Sequence, residues 1–169
     1  LNLGFPGGPK IMRLAAQADK SKLIDLPYSV KGMDVSFGGL LTKLKTMIKS
    51  GKYNKEELCY SVQETVFAML LEVSERALAH TGKKQLLLGG GVACNTRLQE
   101  MAVQMCKDRG ATCFVLPNEF NVDNAAMIAW TGILQHQADE RHGRKPMNIE
   151  DSVIDPYLRT DDVDVSWRE

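Results

Sequence analysis

The chain has 169 residues, of which 44% are apolar, and its 21 basic and 21 acidic side chains give a formal net charge of zero. This length and apolar content predict one domain with a substantial core. The neutral balance argues against a basic nucleic-acid surface over the whole chain, although it allows a local basic patch. No apolar run approaches the roughly 18 residues that cross a bilayer, so we expect no membrane partner.

The first half of the chain is predicted to be mainly helical. The stretch GFPGGPK (4–10) forms a turn before a short helix, because proline suits the first helical position. Residues 20–33 are predicted to be a loop and MDVSF (33–37) a short strand. The stretch LLTKLKTMIKSG (40–51) is an amphipathic helix that ends at its glycine.

The clearest predicted element is a long helix. Asn54 is a candidate N-cap, and Glu57 three residues later is its capping-box partner. The helix is predicted to run to Thr81 and to stop at Gly82, which gives a length of roughly 40 Å. Apolar residues at helical spacing predict one buried stripe, namely Leu58, Val62, Val66, Met69, Val73 and Ala77.

The second half alternates strands and helices. KQLLLGG (84–90) and ATCFVLP (111–117) are predicted strands, and helices follow each of them, the first ending at Gly110. This order indicates an α/β fold with some parallel strand pairing. The predicted domain organisation is a lobe over residues 1–142 and an extended surface tail over residues 143–169. The four cysteines show no metal-binding spacing and are interpreted as reduced, mostly buried thiols.

Three consecutive glycines, Gly89, Gly90 and Gly91, follow the first of these strands. Ligands of open α/β sheets collect at the carboxyl ends of strands, and free N–H groups at a helix start bind anions. Asn95, near the start of the next helix, either caps that helix or contacts a ribose or base through its amide. The turn has neither the Walker nor the Rossmann pattern, so the motif leaves nucleotide binding and a packing turn both open.

Asp123 lies at the mouth of the last predicted helix, after a strand and a loop. On spacing alone it is interpreted as an N-cap, with a metal-binding or phosphate-linked carboxylate as the alternative.

Five stretches, in the same order along almost the whole chain, together resemble one family. They are LGFPGGPKI, KGMDVSFGGLLT, GGGVACNTRLQEM, VDNAAMIAWTG and YLRTDDVDVSW. The family is that of the universal tRNA threonylcarbamoyladenosine synthesis proteins, called TsaD in bacteria and forming the catalytic subunit of the KEOPS complex in archaea and eukaryotes. Its older name is O-sialoglycoprotein endopeptidase. The ending RTDDVDVSW resembles the archaeal and eukaryotic branch.

This resemblance implies the C-terminal lobe of the two-lobed actin, sugar kinase and heat-shock ATPase fold (ribonuclease H-like), with a mixed sheet flanked by helices and the N-terminal lobe absent. It implies that ATP or threonylcarbamoyl-adenylate and one iron or zinc ion lie between the lobes. The implied reaction moves the threonylcarbamoyl group to the adenosine beside the tRNA anticodon. The implied partners are tRNA, a small protein kinase and small accessory subunits of a KEOPS-type complex, in the cytoplasm and also in the nucleus.

The resemblance assigns roles to particular residues. Gly8 and Asn95 correspond to nucleotide contacts, with Gly90 and Gly91 in the same turn, and Asp123 corresponds to a metal ligand. No residue is identified as a general base, so the catalytic residues stay unknown.

The chain also departs from the family pattern. Met12 stands where the family has an acid, and Ala125 stands where a glycine is usual. The family's His-x-x-x-His metal pair is missing, because His80, His136 and His142 lack that spacing and are interpreted as surface helix-end or loop residues.

Two alternatives therefore remain open beside the transferase. One is a metallo-endopeptidase acting on sialoglycoproteins, as the older name says, although no HExxH motif is present. The other is a noncatalytic lobe that only binds partners. A basic run in the first half either contacts tRNA or an acidic partner or is a solvated face; it comprises Lys43, Lys45, Lys49, Lys52 and Lys55.

Overall fold

The computed structural model describes residues 1–122, 124–159, 162–163 and 165–168. These residues divide into two units, the first spanning 1–122 and the second beginning at residue 123. The predicted boundary between a lobe (1–142) and a tail (143–169) stays a prediction.

The first unit combines helices with two small sheets. Its elements are α1 (Gly8–Ala15), β1 (Val30–Lys31), β2 (Asp34–Val35), α2 (Leu40–Ser50), α3 (Lys55–Thr81), β3 (Gln85–Leu88), a 3-10 turn (Gly91–Cys94), α4 (Thr96–Asp108), β4 (Thr112–Val115) and α5 (Asn118–Asn121). The α/β class and nearly all of the predicted elements are confirmed. The four-residue helix α5 lies in a stretch that was predicted to be a loop.

The two sheets have different strand directions. β1 and β2 form an antiparallel hairpin with Val30 opposite Val35. β3 and β4 are parallel, with Leu86 opposite Cys113, which confirms the predicted parallel pairing. The predicted single mixed sheet is wrong for the described residues, because no described strand joins the hairpin to the parallel pair.

The central helix α3 has the ends that the sequence predicts. The Asn54 Oδ1 atom accepts a hydrogen bond from the Glu57 N–H at 2.7 Å. The helix stops at Gly82, whose φ of 66° is one that residues with a Cβ rarely adopt. The Glu57 carboxylate lies 3.3 Å from the Lys22 ammonium group in the preceding loop. Among the described residues it does not accept from the Asn54 N–H, so only the Asn54 half of the predicted capping box forms.

Two hydrophobic clusters meet along α3. The first joins α2 and the loop before β1 to the start of α3, and its buried members are Leu26, Leu40, Met47 and Leu58. The second joins the middle of α3 to α4 and to the inner faces of β3 and β4, and its buried members are Phe67, Leu71, Leu98 and Ala102. Val66 packs against both clusters.

Helix α3 therefore buries more of its surface than the predicted single apolar stripe. Leu58 and Met69 are buried as expected, but the polar side chains of Ser61 and Gln63 are buried as well. The reason is tertiary: α1 and the hairpin pack on α3, and so does α4. A helix enclosed in this way buries residues outside one amphipathic stripe.

The loop over residues 20–33 is fixed to α3 by polar contacts. The Ile24 N–H donates to the buried Ser61 hydroxyl at 2.9 Å. The Tyr28 hydroxyl donates to a Glu72 carboxylate oxygen at 2.5 Å. Burial, together with this carboxylate, raises the pKa of Tyr28 to about 12. The loop prediction holds except at Val30–Lys31, which form β1.

The second unit is built on α6 (Ala125–Arg141), with a short 3-10 turn at Ile149–Asp151. The Asn124 Oδ1 atom accepts from the N–H groups of Ala126 and Met127 at 3.0 and 3.3 Å. Asn124 is thus the N-cap of α6, whereas Asp123, for which the sequence predicts that role, lies outside the described residues. The Gln135 amide donates to the Ser166 hydroxyl at 3.2 Å, which joins the C-terminal stretch to α6. No helix of the described residues is long and apolar enough to span a bilayer.

Candidate nucleotide site at the glycine turn

The glycine turn after β3 has a backbone that only glycine adopts easily. Gly90 has φ 94° and ψ 167°, a conformation that strains residues with a side chain. A Cβ built on Gly89 or Gly90 has no described atom within 4 Å, so this stretch of backbone faces open space. A Cβ on Gly91 would lie 4.0 Å from the Asn121 carbonyl oxygen, in ordinary contact. Gly90 is therefore required by the turn, and Gly89 and Gly90 leave the backbone accessible to a ligand.

Asn95 is the N-cap of α4. Its Oδ1 atom accepts from the N–H groups of Arg97 and Leu98 at 2.9 and 3.4 Å. Its Nδ2 atom donates to the Gln63 Oε1 atom at 3.0 Å. The capping interpretation of Asn95 is confirmed, and the nucleotide contact stays a prediction.

Gln63 belongs to the candidate site and was not predicted from the sequence. Its side chain is only 7% exposed, although glutamine is usually a surface residue. The sequence held one indication of this burial: Gln63 directly follows Val62, which belongs to the apolar pattern of the predicted long helix. Its partner on α4 is 32 residues away, and nothing in the local sequence identifies that partner.

A second contact reinforces the junction of α3 and α4. The Arg97 guanidinium group donates from Nε and Nη2 to the two oxygens of the Glu64 carboxylate, at 2.8 and 2.7 Å. The hydrogen bonds to Glu64 raise the pKa of Arg97, so its charge is permanent. Bidentate geometry of this kind fixes orientation as well as distance. The start of α4, and with it the glycine turn, is therefore held against α3 from two neighbouring positions.

Helix α1, which follows the first glycine turn, contacts the start of α4 through one side chain. Gly8 is the exposed first residue of α1, and α1 has no side-chain cap among the described residues. Met12 lies one helical turn further on, and its sulfur is 3.8 Å from the Thr96 hydroxyl at the start of α4. Because Gly8 and Met12 are four residues apart, they share one face of α1. The structure thus places Met12, in the middle of α1, against the first residue of α4.

The predicted metal ligand Asp123 lies outside the described residues. Within the described residues, no group of three or more His, Cys, Asp or Glu side chains could hold a metal ion. His80 is in the last turn of α3, and His136 pairs with Glu140 at 3.6 Å on α6. His142 follows the end of α6, where its Nδ1 atom contacts the Ala138 carbonyl oxygen at 2.7 Å. These positions agree with the helix-end and surface interpretation of the three histidines.

A groove of about 600 Å³ lies along α3 and α4, away from the glycine turns. Arg97 is on its wall, but Gly8, Gly90, Gly91 and Asn95 are not. Its lining is largely acidic and apolar, with Glu72, Glu75, Glu100 and Asp108 among the residues. Such a lining repels phosphates, so this groove is not the candidate nucleotide site.

Comparison with known proteins identifies the family. The family model described as TsaD, tRNA N6-adenosine threonylcarbamoyltransferase, matches residues 1–130. A protein of that name from Thermococcus kodakarensis is 51% identical over 167 residues, which are 99% of this chain and 49% of the relative. The corresponding protein from Methanocella arvoryzae is 49% identical over the same shares.

Longer relatives also match. A probable bifunctional tRNA threonylcarbamoyladenosine biosynthesis protein from Methanosarcina barkeri is 51% identical over 166 residues, which are 98% of this chain and 29% of that protein. The chain spans about half the length of the first relatives and less of the bifunctional ones. These relatives are archaeal, in keeping with the branch indicated by the C-terminal stretch. The chain belongs to the TsaD family of tRNA N6-adenosine threonylcarbamoyltransferases.

Proposed function

We propose that the full-length protein transfers a threonylcarbamoyl group from its adenylate to the N6 amine of an adenosine in tRNA. The observation that carries this proposal is the accessible backbone at Gly89 and Gly90, between the carboxyl end of a parallel strand and the 3-10 turn that leads into α4. That turn lies inside the region that matches the transferase family. Because the chain spans about half of its relatives, the activity belongs to the whole protein.

The proposed architecture is one lobe of an actin-like, ribonuclease H-like fold. Ligands of such α/β units bind outside the carboxyl ends of parallel strands, where the glycine turn is located. The N-terminal lobe supplies the opposite wall of the site, so the nucleotide is enclosed only in the complete protein.

Within this lobe the proposed nucleotide contacts are Gly8, Gly90, Gly91 and Asn95. The Asn95 Oδ1 atom is already used by two backbone N–H groups, and Nδ2 gives one of its two protons to Gln63. The other Nδ2 proton has no acceptor in the described part of the chain, and it is the one proposed to donate to ATP or threonylcarbamoyl-adenylate.

The chemistry of the transfer defines what the turn has to do. The adenosine amine attacks the threonylcarbamoyl carbonyl carbon, a C–N bond forms, and the C–O bond to the adenylate phosphate breaks. The amine loses a proton, and AMP leaves as an anion. Backbone N–H groups of the Gly90–Gly91 turn are suited to hold that phosphate as its negative charge develops.

The metal part of the site is incomplete in this chain. One carboxylate does not fit a transition metal, which takes at least three protein ligands, and the described residues add no cluster of their own. We derive no catalytic step through a metal. We propose only that Asp123 contributes one ligand to an iron or zinc ion completed by the rest of the protein.

The proposed partners follow from the same family assignment. They are tRNA, a small protein kinase and small accessory subunits of a KEOPS-type complex. The relatives named as bifunctional are longer chains, of which this chain matches about 30%. Their name supports the proposal that the transferase acts together with a second activity. The proposed compartment is the cytoplasm, with the nucleus as a second one.

The test uses Gly90→Ala in the full-length protein, with threonylcarbamoyladenosine in purified tRNA measured by nucleoside mass spectrometry. Loss of the modified nucleoside is expected, because φ at Gly90 is 94° and an added Cβ occupies the open face of the turn. Gly82→Ala is a control for a Cβ added at positive φ (66°), at the end of α3 and in a left-handed conformation that strains alanine less than that of Gly90 does. Equal loss in both variants, or activity retained by Gly90→Ala, would contradict the proposal.

A further inference from the structure

One segment of the chain is strongly basic. Residues 35–55 contain five lysines and no Asp or Glu, although the chain as a whole carries equal numbers of basic and acidic side chains. All five lysines are exposed. None of them forms an ion pair within the part of the chain that the structure describes. They are Lys43, Lys45, Lys49, Lys52 and Lys55.

The lysines of helix α2 lie on different faces of the helix. Leu40 and Met47 are buried in the first hydrophobic cluster, so the opposite face of α2 is directed outward. Lys45 and Lys49 are four residues apart and are neighbours on the outward face. Lys43 lies on another flank, roughly 120° around the helix from Lys49 at 3.6 residues per turn.

The outward lysines line a groove together with the turn before α3. Lys45, Lys49, Lys55 and Tyr53 are among the residues around this groove, which has a volume of about 390 Å³. We call these four residues the lysine groove. Tyr53 is 38% exposed, so part of its ring is accessible from solvent.

Lys49 lies in the last turn of α2, where a cation is favourable, but Lys45 has no such position on the helix. Like charges four residues apart on a helix repel each other, and no described acid offsets them. A bound polyanion would relieve this repulsion. Lysines beside an accessible aromatic ring are the combination that holds a nucleic-acid backbone and stacks on an unpaired base. An acidic protein segment would use the charges but would give the ring no planar partner.

We propose that the lysine groove binds the phosphate backbone of the RNA substrate, with the Tyr53 ring stacked on an unpaired base. This inference rests on the proposed function for the identity of the RNA as tRNA. Phosphate contacts set register and orientation and carry no sequence information. The lysine groove therefore positions the substrate and does not select it.

The experiment measures binding of an unmodified tRNA transcript to the full-length protein at several salt concentrations. In the variant with Lys45→Ala, Lys49→Ala and Lys55→Ala, the slope of log affinity against log salt is expected to fall by about 2 to 3, at roughly 0.7 to 0.9 per lost phosphate contact. Lys43→Ala is the matched control on the same helix and is expected to change the slope by less than about 1. Tyr53→Ala is expected to weaken binding without changing the slope, whereas Tyr53→Phe is expected to bind as the parent does.

The triple Lys→Arg variant tests whether loss of folding explains the effect, because it keeps every charge and is expected to restore the slope. A triple alanine variant with an unchanged slope would overturn the proposal, and so would a fall equal to that of Lys43→Ala. Loss of binding to an acidic peptide with unchanged tRNA binding would assign the groove to a protein partner and also overturn it. Binding of tRNA needs no catalysis, so the two proposals can fail separately. If the unsubstituted protein modifies no tRNA, but the triple alanine variant still has a smaller slope of log affinity against log salt, only the transferase function is contradicted.

Discussion

The Asn95 side-chain amide donates a hydrogen bond to Gln63 Oε1 at 3.0 Å, and this contact joins the cap of α4 to the buried middle of α3. The same Asn95 caps α4 with its oxygen. One side chain therefore fixes both the helix start and its position on the core. The ligand contact proposed for Asn95 would depend on Gln63, because Gln63 holds the Asn95 amide in its orientation.

Gln63→Leu is expected to destabilise the protein and to weaken nucleotide binding. It leaves the Asn95 N–H without its buried acceptor, which costs about 1 to 3 kcal/mol of unfolding free energy. Urea unfolding measures the stability, and calorimetric titration with ATP measures the affinity. Gln104→Leu is the control, since Gln104 is exposed and, among the described residues, its side chain bonds only to Asp108 on the same helix. Equal effects of the two substitutions would show that the Gln63 contact contributes nothing specific.

Asn54→Ala is expected to lower the unfolding free energy by about 1 kcal/mol, because it removes the N-cap of the central helix. The N–H of Glu57 then loses the acceptor that lies 2.7 Å away. Asn54→Ser keeps a capping oxygen and is expected to recover most of the loss. Thermal or urea unfolding of both variants measures this difference, and an Asn54→Ala protein as stable as Asn54→Ser would contradict it.

The sequence was informative where local chemistry decides structure. The cap at Asn54 and the stop at Gly82 belong to α3 itself, so both could be predicted. The two-residue strand β1 exists only through its pairing with β2, and no local pattern marks it. Gln63 and Glu64 were missed as site residues because their partners come from α4, more than 30 residues later. The glycine turn could be identified in advance, whereas the backbone angle that makes Gly90 necessary could not.

The buried cysteines are expected to react slowly with thiol reagents. Burial raises the pKa of Cys59, Cys106 and Cys113 above the ordinary value of 9.0. Cys94 and Cys113 are both only partly buried, but burial raises the thiol pKa of Cys113. At pH 8, alkylation followed by mass spectrometry is expected to find Cys94 labelled first, with Cys59 protected until the protein unfolds. Labelling of Cys59 as fast as Cys94 would contradict the burial.

The same pKa shifts predict how stability depends on pH. Because the folded pKa values are raised, the thiols ionise more readily in the unfolded chain. Their contribution to stability is fully present below about pH 9 and is lost as the pH rises through the folded values. Unfolding free energies measured from pH 8 upward are expected to decline less in Cys59→Ala than in the parent. A decline of the same steepness in both would show that Cys59 titrates alike in the folded and unfolded states.

Met12→Glu tests whether the contact between α1 and α4 lies at the nucleotide. Met12 is one turn beyond Gly8 and touches Thr96, at a position where the family resemblance places an acid. A carboxylate here can accept a hydrogen bond from the Thr96 hydroxyl and from donors of a ribose or adenine ring. Hydrogen bonds to charged groups contribute about 1.5 to 3 kcal/mol, so ATP is expected to bind about tenfold or more tightly. Met12→Gln has nearly the same shape as Met12→Glu without the charge, and its affinity for ATP is expected to rise much less.

Calorimetric titration of the full-length protein with ATP gives both affinities. If Met12→Glu binds ATP no better than Met12→Gln, residue 12 does not contact the nucleotide, and Met12 and Thr96 touch through packing alone.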